Sequence, residues 1–318
     1  MWHKKILFVG GKGGVGKSTS AAAIALQHAK NDYKTLLVST DPAHNVGDLF
    51  NCKIGGTTKQ IARNLFALEI DPEVETKIYI ETVKKTIQTA VSAKMREEVY
   101  RQLDTVKQSP GVEEAALFDK LVSILLEESV HFDKIVIDTA PTGHTVRLLS
   151  LPQLMGVWIS GLLEKRKITN DNYTMLLHDG EPVEDPIYEA LRNRQNRFQL
   201  ASEMLLNEQQ TGIVFVMNAE RLPIVETEKA LHLLKQYDLT VKAIIVNKII
   251  PNDVTGEFMA KRKKHEVQYI KKIKETFTKQ QIVWIPLFPK DVTTELELIE
   301  FGHYFKGGQY VESIHSSK

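Results

Sequence analysis

The feature that most constrains this chain is the run Gly11-Lys12-Gly13-Gly14-Val15-Gly16-Lys17-Ser18, which fits the spacing G-x-x-x-x-G-K-[ST]. It follows a short apolar stretch, Ile6–Val9, and leads into an alanine-rich one, Ser20–Lys30. A strand that turns through glycines into a helix N-terminus aims several backbone N–H groups at one point, and the helix adds partial positive charge there. A phosphate group satisfies both. Glycines at 11, 13, 14 and 16 keep Cβ atoms out of its way, Lys17 reaches the terminal phosphates, and the Ser18 hydroxyl is a ligand for Mg²⁺. Val15 and Thr19 complete the nucleotide-binding stretch, and ATP with Mg²⁺ is the expected cofactor pair. Lys12 is a second lysine in the loop; taken alone it reads as a solvated surface lysine.

The rest of the chain suits such a site. Short β-branched runs at Ile6–Val9, Thr35–Ser39, Leu65–Ile70, Lys134–Asp138, Gly212–Met217, Val241–Val246 and Gln281–Ile285 alternate with helical stretches. Several are continuously apolar, as strands covered on both faces are. The expected fold is α/β: a P-loop NTPase with a mainly parallel central sheet flanked by helices. The whole chain, 1–318, reads as one such domain, with insertions at about 71–130 and 148–210 forming a helical subdomain. In the first, Ile80, Val83, Ile87, Val91, Met95 and Val99 recur at helical spacing, predicting one amphipathic helix. In the second, Leu148–Leu163 reads as helix, Asn170–Pro186 as a polar loop, and a helix starts near Ile187. Trp158, Ile159, Leu162 and Leu163 give an apolar face that suits either a core helix or a groove for a client helix.

Two further segments begin at strand ends: Ser39-Thr40-Asp41-Pro42-Ala43-His44-Asn45 and Asp138-Thr139-Ala140-Pro141-Thr142-Gly143-His144-Thr145. In a parallel sheet ligands bind at the carboxyl ends of strands, so both fall on the edge that holds the glycine loop. A carboxylate there can hold Mg²⁺ or its waters, or orient an attacking water. As isolated residues, Asp41 and Asp138 read equally as turn caps.

Together the three segments carry a resemblance. K-G-G-V-G-K-S-T, S-T-D-P-A-H-N and D-T-A-P-T-G-H-T, in this order, resemble the family of arsenite-pump ATPases and tail-anchored-protein targeting ATPases, a deviant Walker A class. Ser109-Pro110-Gly111-Val112-Glu113-Glu114 is similar to a P-G-x-x-E segment of that family, Val246-Asn247 to its adenine-reading loop, and Pro286-Leu287-Phe288-Pro289 to a purine-side loop. The resemblance implies roles. Lys12 reaches the nucleotide of a partner subunit, Asp41 positions the attacking water, Asp138 meets Mg²⁺ through water, and Asn247 and Pro289 contact adenine. His44 and His144 look like switch residues rather than metal ligands, with a buried, hydrogen-bonded histidine as the plainer alternative.

The chain also departs from that family. The zinc-clasp cysteines of the targeting ATPases fall on Gly256 and Met259 here, so no structural zinc is expected. Cys52 is the only cysteine, and Gly111 stands where the pump binds metalloid through a thiolate. Soft metalloids want several thiolates, so the likeness is to the pump's motor and not to its sensor. The pump ATPase is a tandem of two halves; this chain resembles one half and is expected to pair with itself.

Composition narrows the partners. With 41 Lys+Arg against 40 Asp+Glu the net charge is +1, which gives no global case for nucleic acid. The basic run on one predicted helix (Lys261 to His265, with Lys271, Lys272 and Lys274) is broken by Glu257, Glu266 and Glu275 and reads as a solvated face. No export signal is legible at the N-terminus, and Leu148–Leu163 falls short of the ~20 residues that span a bilayer. A cytoplasmic protein is expected. The activity expected is Mg-dependent ATP hydrolysis that switches a homodimer between open and closed forms. The role of an anion-pump motor coupled to a membrane transporter comes first, a targeting chaperone for hydrophobic membrane-protein clients second, and a partition-type positioning ATPase third.

Overall fold

A computed structural model describes residues 1–41, 45–90, 93–106, 110–177 and 185–306. Eight strands form one sheet: β1 (Ile6–Gly11), β2 (Thr35–Ser39), β3 (Lys59–Ala62), β4 (Leu65–Glu69), β5 (Lys134–Asp138), β6 (Thr211–Asn218), β7 (Val241–Ile249) and β8 (Gln281–Pro286). Their order is β3-β4-β2-β5-β1-β6-β7-β8, and every pairing is parallel except β3 with β4. The seven apolar runs each become a strand, within a few residues of the expected bounds. Their sequences are continuously apolar because both faces are covered. On β7, Ala243 and Ile245 belong to one buried cluster, whereas Ile244 and Val246 belong to another.

The first cluster is built by α1 (Lys17–Lys30), whose Ala21 to Leu26 lie against Leu7, Val9, Leu37, Val136 and Val216 of the sheet. Small side chains let this helix sit close to the strands. α10 (Glu295–His303) adds Leu298 and Phe301, and starts at a capping box in which Thr294 accepts from the Glu297 N–H. The second cluster joins Met217, Ile244 and Trp284 to Ile224 of α8 (Arg221–Lys235) and Ile270 and Ile273 of α9 (Glu257–Thr276). α2 (Asn45–Leu49) is a short helix after β2.

The chain divides into two compact units. The first comprises Met1–Ile70, Ser129–Arg147 and Leu206–Lys318, and holds the sheet. The second comprises Asp71–Glu128 and Leu148–Leu205. Its described residues are helical for the most part: α3 (Pro72–Ala90), α4 (Ala93–Val106), α5 (Pro110–Leu126), most of α6 (Thr142–Leu177) and α7 (Pro186–Leu206). Two of these helices start on the same device. Asp71 Oδ1 accepts the N–H groups of Glu73 and Val74, and Asp185 Oδ1 those of Ile187 and Tyr188. In each case proline fills the first helical position, where no N–H is needed.

The structure corrects four expectations. β3 carries no apolar signal, since Lys59 and Gln60 are exposed on an antiparallel edge strand. The single helix expected across Ile80–Val99 is two, α3 and α4; Ile80 is buried, and the side chains of Ile87, Val91, Met95 and Val99 lie outside the described residues, as do residues 91–92. The polar loop expected at Asn170–Pro186 is helical through Leu177, with residues 178–184 outside the described set. Finally, α6 outruns its apolar stretch, and Thr142–Ile168 is long and apolar enough to cross a bilayer by length and composition alone. Yet Leu149 and Ile159 are buried while Leu154, Val157 and Ile168 are exposed, a two-sided pattern that packing on one face produces. The side chain of Trp158 lies outside the described residues.

Candidate nucleotide site

The site forms where β1, β2 and β5 end together. Val9 and Ser39 are both in register with Asp138. Hydrogen bonds lace the strand ends: the Thr40 N–H donates to the Asp138 carbonyl at 2.9 Å, Thr139 N–H to the Val9 carbonyl at 3.1 Å, and Ala140 N–H to Thr40 Oγ1 at 3.2 Å. Thr139 and Thr145 hydroxyls lie 2.7 Å apart, tying the start of α6 to β5.

Two glycines of the loop are required by geometry. Gly11 has φ +147, and a Cβ on it would stand 2.2 Å from the Val216 carbonyl oxygen of β6. Gly16 has φ +96, and a Cβ there would stand 2.3 Å from Asn247 Nδ2. α1 begins at Lys17, three residues before the expected start, so the helix N-terminus lies inside the motif itself. That places its free N–H groups at the phosphate cradle.

Lys17 is buried at 5% exposure; its Nζ lies 3.4 Å from the Lys12 carbonyl and 4.0 Å from Asp41 Oδ2. The Asp41 N–H donates to Ser39 Oγ at 3.3 Å. Asp138 is wholly buried, and neither carboxylate oxygen has a hydrogen-bond partner at full geometry. Burial pushes its pKa up to about 7, against the pull of the Ser18 hydroxyl, the Lys17 charge and Ser39, and with the help of the Asp41 charge. An orphaned carboxylate beside the Ser18 hydroxyl is chemistry that suits a hard cation. Among the described residues no cluster of three His, Cys, Asp or Glu forms a metal site. A cation held here would need its remaining ligands from phosphate and water, a coordination that suits Mg²⁺.

A cavity of about 590 Å³ opens beside the loop. Gly13, Gly14, Gly16, Lys17, Ser18, Thr19, Asp41 and Asn247 line it. Asn247 already uses both ends of its amide: Nδ2 donates to the Val15 carbonyl at 2.9 Å and Oδ1 accepts the Lys248 N–H at 2.9 Å. Pro289 does not line the cavity; its neighbours Pro286, Leu287 and Phe288 do. Val15 is turned into the core. Lys12 lies outside the cavity lining and pairs instead with Glu226 of α8 at 2.7 Å. His144 is exposed, which removes the buried alternative for it; His44, Pro42 and Ala43 lie outside the described residues, as does Ser109.

Sequence reasoning missed several contributors. Lys248 adopts φ +59 and its Nζ reaches the Gly14 carbonyl at 3.3 Å. Asp48 and Leu49 of α2 line the cavity, as do Asp291 and Thr293 before α10. The adjacency of Val246-Asn247 to Lys248 was the only hint of the first. On α9 the basic run is partly neutralised, with Lys261 paired to Glu257, Arg262 to Glu220 and Lys271 to Glu275.

A glycine loop between β1 and α1, a buried carboxylate on the neighbouring strand end and a parallel sheet covered on both faces define a P-loop NTPase. A family model described as "Anion-transporting ATPase" matches residues 4–307. A putative arsenical pump-driving ATPase 2 of Aquifex aeolicus is 34% identical over 308 residues, covering 96% of this chain and 100% of that protein. The ATPase get3 of Schizosaccharomyces japonicus is 31% identical over 305 residues, covering 93% and 91%. A putative arsenical pump-driving ATPase of Halobacterium salinarum is 33% identical over 298 residues, 93% of this chain but 42% of the longer relative. The chain belongs to the anion-transporting ATPase family, and ATP hydrolysis is the activity this membership carries.

Proposed function

We propose that the chain is a Mg-dependent ATPase that works as a homodimer, with hydrolysis driven by positioning and charge rather than by covalent chemistry. The observation that carries the reading is the orphaned, buried Asp138 carboxylate beside Ser18, with Asp41 4.0 Å from Lys17. Lys17 holds the terminal phosphates, helped by the N–H groups of Gly13 to Thr19. Ser18 and Asp138 hold Mg²⁺, which supplies charge neutralisation at the phosphates when bound. Asp41, at the end of β2, orients the attacking water. Lys12 serves the site of the partner subunit across the two-fold axis. Asn247 with Pro286, Leu287 and Phe288 faces the base.

The two relatives named as arsenical pump-driving ATPases support the role of an anion-pump motor; a cytoplasmic location and a coupled membrane transporter are part of the same proposal. No structural zinc and no nucleic acid enter this proposal. A specific observation keeps the second role open: Leu154, Val157 and Ile168 are exposed on α6, an apolar face of the kind a hydrophobic membrane segment covers. The helical unit is then the client-binding part and the sheet unit the motor. The test of the activity is Asp41→Asn. It leaves the phosphate cradle intact, so ATP binding stays near normal while steady-state hydrolysis falls about a hundredfold. Near-normal turnover in that variant removes Asp41 from the mechanism.

A further inference from the structure

We propose that Glu69 is a positioning residue for hydrolysis, acting through α2 on the placement of Asp41. The inference rests on the reading of Asp41 as the water-orienting group. Glu69 ends β4, is 5% exposed, and lies in register with Ser39 of β2. Burying a carboxylate is costly, and one bond this one makes is to a backbone amide: the Gly47 N–H of α2 donates to Glu69 Oε1 at 2.9 Å. Gly47 is the only residue type that fits there without displacement. A Cβ on it would stand 2.9 Å from the Cys52 carbonyl oxygen and 3.6 Å from Glu69 Oε1. The turn after α2 is closed by the Cys52 N–H donating to the Gly47 carbonyl at 3.0 Å.

Bonds flank Asp41 on both sides in sequence, with residues 42–44 between it and α2 outside the described set. Before it, the Ser39 hydroxyl accepts the Asp41 N–H, and the Ser39 carbonyl accepts the Ile70 N–H, next to Glu69, at 2.9 Å. After it, α2 is seated on β4 by the Glu69–Gly47 bond. Asp48 and Leu49, adjacent to Gly47, line the nucleotide cavity, so the seat of α2 reaches the site directly. Glu69 does not line that cavity. Its loss therefore disturbs where Asp41 points more than it disturbs the cradle that binds phosphate. Orientation of a reacting group is where small displacements are expensive in rate.

The experiment measures kcat, KM for ATP and melting temperature for Glu69→Ala, Glu69→Gln and Gly47→Ala, beside Asp41→Asn. Glu69→Ala and Gly47→Ala are expected to lose about tenfold or more in kcat, with KM within about threefold of normal. Glu69→Gln keeps an oxygen acceptor for the Gly47 N–H and is expected to retain most of kcat. A purely structural role lowers the melting temperature of Glu69→Ala and leaves kcat per folded molecule unchanged; that result overturns the proposal. So does a Gln variant as slow as the Ala one. If Glu69→Ala does not fold, Gly47→Ala decides, and normal kcat there overturns it as well. Asp41→Asn separates the two claims. Normal turnover in that variant sinks the water-orienting reading, whereas lost turnover there beside normal turnover in Gly47→Ala sinks only the role of Glu69.

Discussion

On the proposed role of Lys12 across a homodimer, the Lys12–Glu226 pair sets a measurable threshold for assembly. In that role, Lys12 reaches the partner's nucleotide only after it leaves Glu226, 2.7 Å away in the same subunit. The two side chains are 34% and 39% exposed, so the pair belongs to the weak surface class worth about 0.2–1 kcal/mol. Two such pairs are given up per dimer. Removing Glu226 therefore favours the ATP-bound dimer by about 0.4–2 kcal/mol, which lowers its dissociation constant about 2- to 30-fold. Glu226 sits in the middle of α8, and alanine is the best helix former, so Glu226→Ala carries little helix cost. The assay is ATPase rate per subunit against protein concentration at saturating ATP and Mg²⁺. The midpoint is expected at lower concentration in Glu226→Ala, with the melting temperature nearly unchanged. High salt, which screens an exposed pair, should shrink the gap between variant and parent. A midpoint that stays put or moves upward, with normal folding, means that Glu226 does not restrain Lys12 and that the exchange in trans is wrong.

Two further expectations follow. Steady-state ATPase should not rise with antimonite, because Cys52 is the only cysteine and two subunits offer two thiolates where three are wanted; several-fold stimulation that survives Cys52→Ser would show a sensor built from other groups. Stability should also depend on Glu266, whose pKa burial pushes up to about 7, against the Ile250 N–H bond and the Lys263 and Arg262 charges. A raised carboxyl pKa contributes stability that is complete below its ordinary range near 4.5 and lost as pH rises through about 7. Melting temperatures of Glu266→Gln and parent should thus diverge in the variant's favour between pH 5.5 and pH 8, and a gap independent of pH refutes the assignment.

What the sequence made legible was local. The strands β1, β2 and β5 announce themselves because both of their faces are buried, and their ends carry Asp41 and Asp138 directly to the glycine loop. β3 had no such signal, since an exposed edge strand needs no apolar run. Nor did the partners that depend on sheet order. Glu69 meets Gly47 because β4 lies beside β2, and Lys12 meets Glu226 across 214 residues of chain. Neither adjacency follows from periodicity. Asn247 was legible as a candidate and lines the cavity, yet its seat depends on the missing Cβ of Gly16, which spacing alone did not connect to it.

The same contacts explain why phosphate and cation should bind this site together. Lys17 lies 4.0 Å from Asp41, Lys12 is neutralised by Glu226, and Asp138 is buried without a full hydrogen-bond partner and titrates near neutrality. Polyphosphate alone would bring negative charge toward Asp41 and Asp138, and a divalent cation alone would bring positive charge beside Lys17. Each ligand offsets the repulsion that the other meets, so their binding is coupled, and by linkage the coupling is equal in both directions. Lys12 is the remaining term. Its charge is satisfied within the subunit by Glu226; in the proposed homodimer a nucleotide on the facing copy offers a phosphate with more negative charge than that carboxylate. On the proposed mechanism, closure is favoured by exchange of a weak, exposed pair for a stronger one across the interface, and it reverses when hydrolysis removes the terminal phosphate.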